Sequence, residues 1–355
     1  MEFPRKKEKD YRTSAFQQEE LEEVIVEYPQ KDGYTDRVYD GESNVFPIEK
    51  FLYHMKKYPA FVNYMEEDRV LIKELNKIFI SEIGISIDFL SFIDGRIKKF
   101  QREFAFFDKF FKEKNIKEIL IPSSYWSAGI VDAANKNGVI SSDIQYALIS
   151  RVHPSFSFPV KRHYATQRGY LWSDYWSIDS LSFQEYQISK TNYFIEKCKE
   201  LELKSNMPIK YDVAFASQSR IGSNFFEWVY SFSVQNPNVK VVFCPHPDEE
   251  AHNYKNYWNF VKLSNTVVAK EDTLIEVAQS RVLIGVYSTT LYEALALGKS
   301  VFVVNVSGHE VVQQEIDKGY FTFIESKEQL EEILSSKELK EKVDFCKLFY
   351  NCSEE

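Results

Sequence analysis

From residue 210 onward the chain predicts an α/β protein with a parallel, doubly wound sheet, and three observations carry that reading. Short apolar runs recur, each is followed by a segment of helical spacing, and polar turns separate the two. Val282–Asn305, VLIGVYSTTLYEALALGKSVFVVN, shows all three at once. Val282–Val286 reads as a strand, Ser288-Thr289-Thr290 as a turn, Leu291, Tyr292, Ala294 and Leu295 as a helix, Gly298 as its stop, and Val301–Val304 as the next strand.

In chain order, Phe89–Lys114 spaces Phe and Ile at helical intervals and predicts a long amphipathic helix whose aromatic stripe faces a core. Glu118–Pro122 then reads as a strand, Ser123–Ser127 as a turn, Ala128–Lys136 as a helix and Asp143–Ile149 as a second strand. This strand-helix-strand unit implies an α/β domain ahead of the C-terminal one. Ser182–Leu203 lacks Gly and Pro and reads as a bridging helix. The C-terminal sheet has predicted strands at Tyr211–Ala216, Val239–Phe243, Thr266–Val268, Val282–Val286, Val301–Val304 and Phe321–Ile324. Helices are expected at about Ile221–Val234, Glu249–Phe260, Leu274–Ser280, Thr290–Leu297 and Glu310–Asp317. The expected organisation is an N-terminal α/β domain over 1–181, a helical linker over 182–209 and a C-terminal domain over 210–355. Its last helix is free to pack back on the first domain.

Composition narrows the function. A chain of 355 residues suits two domains that each bury a core, and 44% hydrophobic residues exclude general disorder. The net charge of −9 argues against nucleic acid as a partner, because phosphate-backbone binding needs clustered Lys and Arg. Cys198, Cys244, Cys346 and Cys352 are scattered without metal-ligand or disulfide-framework spacing, which fits a reducing cytoplasm. No run reaches the ~20 apolar residues of a membrane span, and the N-terminus lacks the apolar stretch of a signal peptide. The basic run Arg5-Lys6-Lys7 is read as a solvated terminus, with peripheral contact to anionic lipid at the inner membrane face as the alternative.

The polar turns carry the chemistry. Strand ends on one edge of a parallel sheet converge on one crevice, so Ser217-Gln218-Ser219-Arg220, His246 and Ser288-Thr289-Thr290 are expected to face a common ligand. A helix N-terminus at such a turn offers unpaired N–H groups and partial positive charge to an anion, and hydroxyl residues there suit a phosphate. His246 stands between Pro245 and Pro247, where the backbone is extended and cannot begin a helix at once. Thr290 and Glu293 have capping-box spacing, so Glu293 is either a ligand-binding carboxylate or a helix cap. There is no P-loop, no glycine-rich dinucleotide fingerprint, no G-x-S-x-G elbow and no Asp-x-Asp, so an anionic ligand would be met by helix ends, hydroxyls and cations without a metal.

The segments AFASQSRIGSNFFEW, VVFCPHPDEE and VLIGVYSTTLYEALALGKSVFVVN resemble the donor-binding domain of GT-B glycosyltransferases, in particular bacterial enzymes of capsule, O-antigen and lipooligosaccharide assembly. The resemblance implies a GT-B-like fold of two Rossmann-like domains facing across a cleft. It also implies that His246, Pro247 and Ser288, Thr289 and Thr290 contact donor phosphates, that Glu293 takes ribose hydroxyls and that Gln218 joins the donor site, where Arg220 is read from its own chemistry as a partner for phosphate oxygens. SSDIQYALISRVHPSFSFP followed by YLWSDYW is similar to an acceptor-domain segment of such enzymes, although Gln145-Tyr146-Ala147 stands where they commonly have Gln-His-Gly.

The function so implied is metal-independent transfer of a sugar from a nucleotide-sugar, UDP-hexose or CMP-linked acidic sugar, to a cell-surface glycan or lipid-linked oligosaccharide, with no cofactor. The candidate bases are His153, Asp36 and Asp40, with His163 a weaker alternative; His153 is favoured by the ordinary titration range of imidazole. Alternatives are a nucleotide-sugar epimerase of similar fold and a non-catalytic glycan-binding protein.

Overall fold

A computed structural model describes the strands 25–27 and 45–47 and residues 54–336, apart from 115, 123, 146, 154–155, 158–164, 179–180, 182, 189–191 and 271. Asp36, Asp40, His163, Cys346 and Cys352 lie outside the described residues. The fold class is the one expected: α/β with two principal parallel sheets, consistent with two Rossmann-like domains. Two compact units form, one from 1–146, 158–170 and 181–187 and the other from 147–157, 171–180 and 188–355. The chain thus passes between units several times, where the sequence pattern leads us to expect a helical linker over 182–209 and a last helix free to return.

The first unit opens with a parallel pair, β1 (Ile25–Glu27) and β2 (Val45–Pro47). Helices α1 (Glu66–Ile83) and α2 (Phe89–Glu113) follow. The predicted aromatic stripe is core only in the second half of α2: Phe107 and Phe111 are buried with Ala133 and Ala134, whereas Phe92 is exposed. Then come β3 (Glu118–Pro122), α3 (Ala128–Lys136), β4 (Ile140–Ile144), β5 (Arg168–Leu171) and β6 (Glu185–Ile188), in the order β3-β4-β5-β6 with β3, β4 and β5 parallel. Gly129 lets α3 close on α2, since a Cβ there would overlap the Phe100 carbonyl oxygen.

Two expectations change here. The strand placed at Asp143–Ile149 ends at Ile144, and the apolar Leu148 and Ile149 are buried in the second unit instead. Ser182–Leu203 is not one helix: Glu185–Ile188 lies beside β5, and only α4 (Asn192–Lys204) is helical. Cys198 on α4 is disulfide-bonded, against the reading of scattered, unpaired cysteines, while Cys244 is a free buried thiol.

The second unit continues with β7 (Tyr211–Ala216), α5 (Gly222–Gln235), β8 (Val241–Cys244), α6 (Tyr257–Phe260), β9 (Thr266–Val268), α7 (Thr273–Ala278) and β10 (Ser280–Gly285). It closes with α8 (Thr289–Ala296), β11 (Ser300–Val304), α9 (Gln313–Asp317), β12 (Thr322–Ile324) and α10 (Lys327–Ser336). Its sheet is parallel throughout, in the order β9-β8-β7-β10-β11-β12. That is the doubly wound dinucleotide-fold order, which reverses between β7 and β10. The predicted helix Glu249–Phe260 is broken, because Asn256 adopts a left-handed conformation at φ 67° and separates a short turn from α6.

Alternation along the strands builds two faces. Val213, Phe215, Val241, Phe243, Val282 and Ile284 pack with Phe225, Phe226, Val229 and Phe232 of α5. The small residues Ala214, Ala216 and Gly285 alternate with them and let α7 and α8 approach; a Cβ on Gly285 would sit 2.9 Å from Leu291 Cδ2. Phe226 is fully buried, with its ring 5.0 Å from Phe243 and 5.3 Å from Phe260. Phe226→Ala is therefore expected to destabilise the chain by about 3–5 kcal/mol in urea unfolding, the usual cost of a buried aromatic cavity.

Candidate functional site

The reversal of strand order brings the turns after β7 and β10 side by side at the carboxyl edge, with the turn after β8 flanking them. This is where open parallel sheets bind ligands. Of the residues singled out by sequence, Gln218, Arg220, His246, Pro247, Ser288, Thr289, Thr290 and Glu293 stand in these turns or in the first two turns of α8.

A hub missed in the sequence holds the first two turns together. Ser217 Oγ donates to Glu249 Oε1 at 2.7 Å, and the His246 amide donates to Glu249 Oε2 at 2.7 Å. One carboxylate thus spans the ends of β7 and β8. Gly222, at the start of α5, leaves the space: a Cβ there would overlap Glu249 Oε1 and the Tyr254 hydroxyl. Burial first, and the Glu249 charge second, push the Tyr254 hydroxyl up to about 12, so it stays protonated and donates to that carboxylate. In the sequence Glu249 sits in an acidic run at the start of a predicted helix, and nothing local marks it out.

His246 is oriented by its own turn. The Asp248 amide donates to His246 Nδ1 at 3.2 Å. With Nδ1 accepting, the neutral ring carries its proton on Nε2, which is then a donor.

At the end of β10, Ser288 caps α8, its Oγ accepting from the Thr290 amide at 3.1 Å. The expected Thr290–Glu293 capping box does not form, because the helix starts one residue earlier than predicted and Glu293 falls beyond the third helical position. The cap of α8 is therefore Ser288 and not the Thr290–Glu293 pair. The half-buried Ser288, Thr289 and Thr290 present hydroxyls at the helix start, and the Thr289 amide has no acceptor among the described residues. The Tyr287 ring lies against Gly308, whose φ is 104° and where a Cβ would meet Tyr287 Cε1 at 2.5 Å.

Arg220 supplies positive charge here. Burial raises the Tyr287 hydroxyl and the Arg220 charge opposes that rise, placing the guanidinium near the β10 turn. The same cation acts on His153: burial foremost, and Arg220 next, lower its imidazole to about 4. His153 therefore stands with the second unit, beside Arg220, and is neutral at pH 7. This corrects two expectations, its place in the N-terminal domain and the ordinary titration range that favoured it as a base. The reason is that 147–157 packs with the second unit.

No protein-family model matches the chain, and no curated protein matches it. Among solved structures it is similar to UDP-GlcNAc 2-epimerase of Methanocaldococcus jannaschii, solved in complex with UDP-GlcNAc and UDP. The TM-score is 0.46, with 10% identity over 68% of this chain and 76% of that one. It is similar to MurG of Acinetobacter baumannii at a TM-score of 0.44 and 10% identity, covering 67% and 69% of the two chains. A third similarity, to KpsC of Thermosulfurimonas dismutans, a β Kdo 2,7 transferase, has a TM-score of 0.27 and 18% identity over 45% and 52%.

The lowered His153 has a measurable consequence. Its folded value of about 4 lies below the usual 6.5, so between them the unfolded chain binds the extra proton. Stability is unaffected above about pH 6.5 and falls as pH drops toward 4, by roughly 3 kcal/mol for a shift of this size. His153→Phe, which keeps the aromatic contact with Phe156, is expected to lose this slope in pH-dependent urea unfolding relative to the wild type.

Proposed function

We propose that this protein is a metal-independent glycosyltransferase that takes a nucleotide-sugar donor at the carboxyl edge of the second unit's sheet. The observation that carries the reading is the reversal of strand order between β7 and β10, with Arg220, the oriented His246 and the hydroxyl-lined start of α8 at that one edge. In this reading the donor's phosphates meet the α8 N-terminus, Ser288–Thr290 and the His246 Nε2–H, with Arg220 balancing charge. Glu293 accepts from the ribose hydroxyls, and Gln218 contacts the nucleotide.

In the transfer step the acceptor oxygen attacks the anomeric carbon and the bond from that carbon to the phosphate oxygen breaks. The nucleotide leaves with the electron pair while a base takes the hydroxyl proton. His153, held neutral beside Arg220, is assigned a hydrogen-bonding role, and Asp36 and Asp40 remain the candidates for the base. The acceptor is a bacterial surface glycan or its lipid-linked precursor. Membrane contact in this scheme is proposed to be peripheral; no helix among the described residues is long and apolar enough to cross a membrane.

Calorimetric titration with UDP and CMP, with and without EDTA, tests the reading. One of them is expected to bind equally well under chelation, and complete loss with EDTA would refute metal independence. His246→Ala is expected to lower turnover roughly 100-fold, the scale for removing one stabiliser of developing charge, with the fold intact. Product analysis with the donor alone separates transfer from epimerisation, since an epimerase converts its substrate without an acceptor.

With the capping box absent, Glu293→Gln should weaken donor binding several-fold through loss of the carboxylate charge. Its melting temperature should stay within about 2 °C of the wild type. Unchanged affinity would remove Glu293 from the donor site.

A further inference from the structure

The second unit holds a separate surface cavity of about 520 Å³, built by 151, the 174–178 turn and α9. Its volume falls within the range of small-molecule sites, about 300–1,000 Å³. Two cations line it, Arg151 and Lys318. Among the described residues neither has a carboxylate within ion-pair distance, and Lys318 Nζ rests 4.2 Å from the centre of the Tyr175 ring.

The wall beside Lys318 is rigid. The Tyr175 hydroxyl donates to Glu315 Oε1 at 2.7 Å, and the Gln314 amide hydrogen-bonds the same tyrosine oxygen. Glu315 is buried and also accepts from Tyr292, and the Tyr175 ring stands edge-on to the buried Trp176 at 5.4 Å. An aromatic ring locked in this way is a platform that loses little entropy on binding. Asp174 and Ser177 complete the lining. Asp174 disfavours a bare anion, while together with Ser177 it offers partners for hydroxyl groups.

We infer that this cavity is a second binding site, for a saccharide that bears an anionic group, with Arg151 and Lys318 gripping the anion and Asp174 and Ser177 the ring hydroxyls. The binding stands on the cavity alone; that the saccharide is the acceptor rests on the proposed transfer reaction.

The test uses the full chain without nucleotide, measuring ligand-observed NMR affinities for glucuronate, glucose 6-phosphate, glucose and inorganic phosphate. At least one acidic sugar is expected to bind about tenfold more tightly than glucose, the scale of one charge-assisted hydrogen bond. Glucuronate and glucose 6-phosphate show whether the anion is a carboxylate or a phosphate. The Arg151→Gln/Lys318→Gln variant, both changes at exposed side chains, should lose that preference, whereas His246→Ala should keep it. Equal binding of glucose, equally tight binding of inorganic phosphate, an unchanged preference in the double variant, or no sugar binding at all would overturn the inference. Loss of nucleotide binding with the acidic-sugar preference intact would instead refute the proposed donor site and leave this one standing.

Discussion

The carboxylate of Glu249 holds two strand ends in register, and the arrangement of the carboxyl edge follows from it. It accepts from Ser217 Oγ after β7 and from the His246 amide after β8, and a phenol kept protonated by burial closes the remaining side. A buried or half-buried carboxylate is tolerated where its lone pairs are met by donors, and here each oxygen has one. The His246 backbone is thus pinned, and its ring is oriented by Asp248, whose amide donates to Nδ1 at 3.2 Å and whose carboxylate lies 3.7 Å from the same nitrogen. Gly222 belongs to the same constraint, since any side chain there would occupy the carboxylate's place.

The other half of the edge is set by close approach. Gly285 allows Leu291 against the end of β10, which seats α8 directly behind its turn, and Gly308 admits the Tyr287 ring. Ser288 satisfies the second helical amide and leaves the first without an acceptor among the described residues. A helix start of this kind concentrates polarity at the point where the strand order reverses. Arg220 adds a full charge, and that charge opposes protonation of His153 and the upward shift of the Tyr287 hydroxyl.

Most of the second unit was legible in the sequence because its cues are local. β7 and β9 run where their apolar residues were marked, and the turns after β7, β8 and β10 carry the predicted polar residues. Errors arose where a local pattern had a non-local cause. Leu148 and Ile149 continue an apolar run but leave the sheet to be buried elsewhere, and the lack of Gly and Pro in Ser182–Leu203 hid the edge strand Glu185–Ile188.

The sequence by itself determined the α/β class, the spacing of strands and helices in residues 210–336, and the identity of the polar turns, since hydrophobic period and turn chemistry act over a few residues. Only the tertiary structure decided which turns meet, because strand order is a choice among pairings that no local period encodes. It also decided that Ser288 rather than Thr290 caps α8, that Glu249 bridges two turns, and that His153 is buried beside Arg220 with its proton affinity lowered. Each of these depends on burial and on charges brought close across long stretches of chain, and the energy of a side chain in such a place is set by neighbours that the sequence does not list beside it.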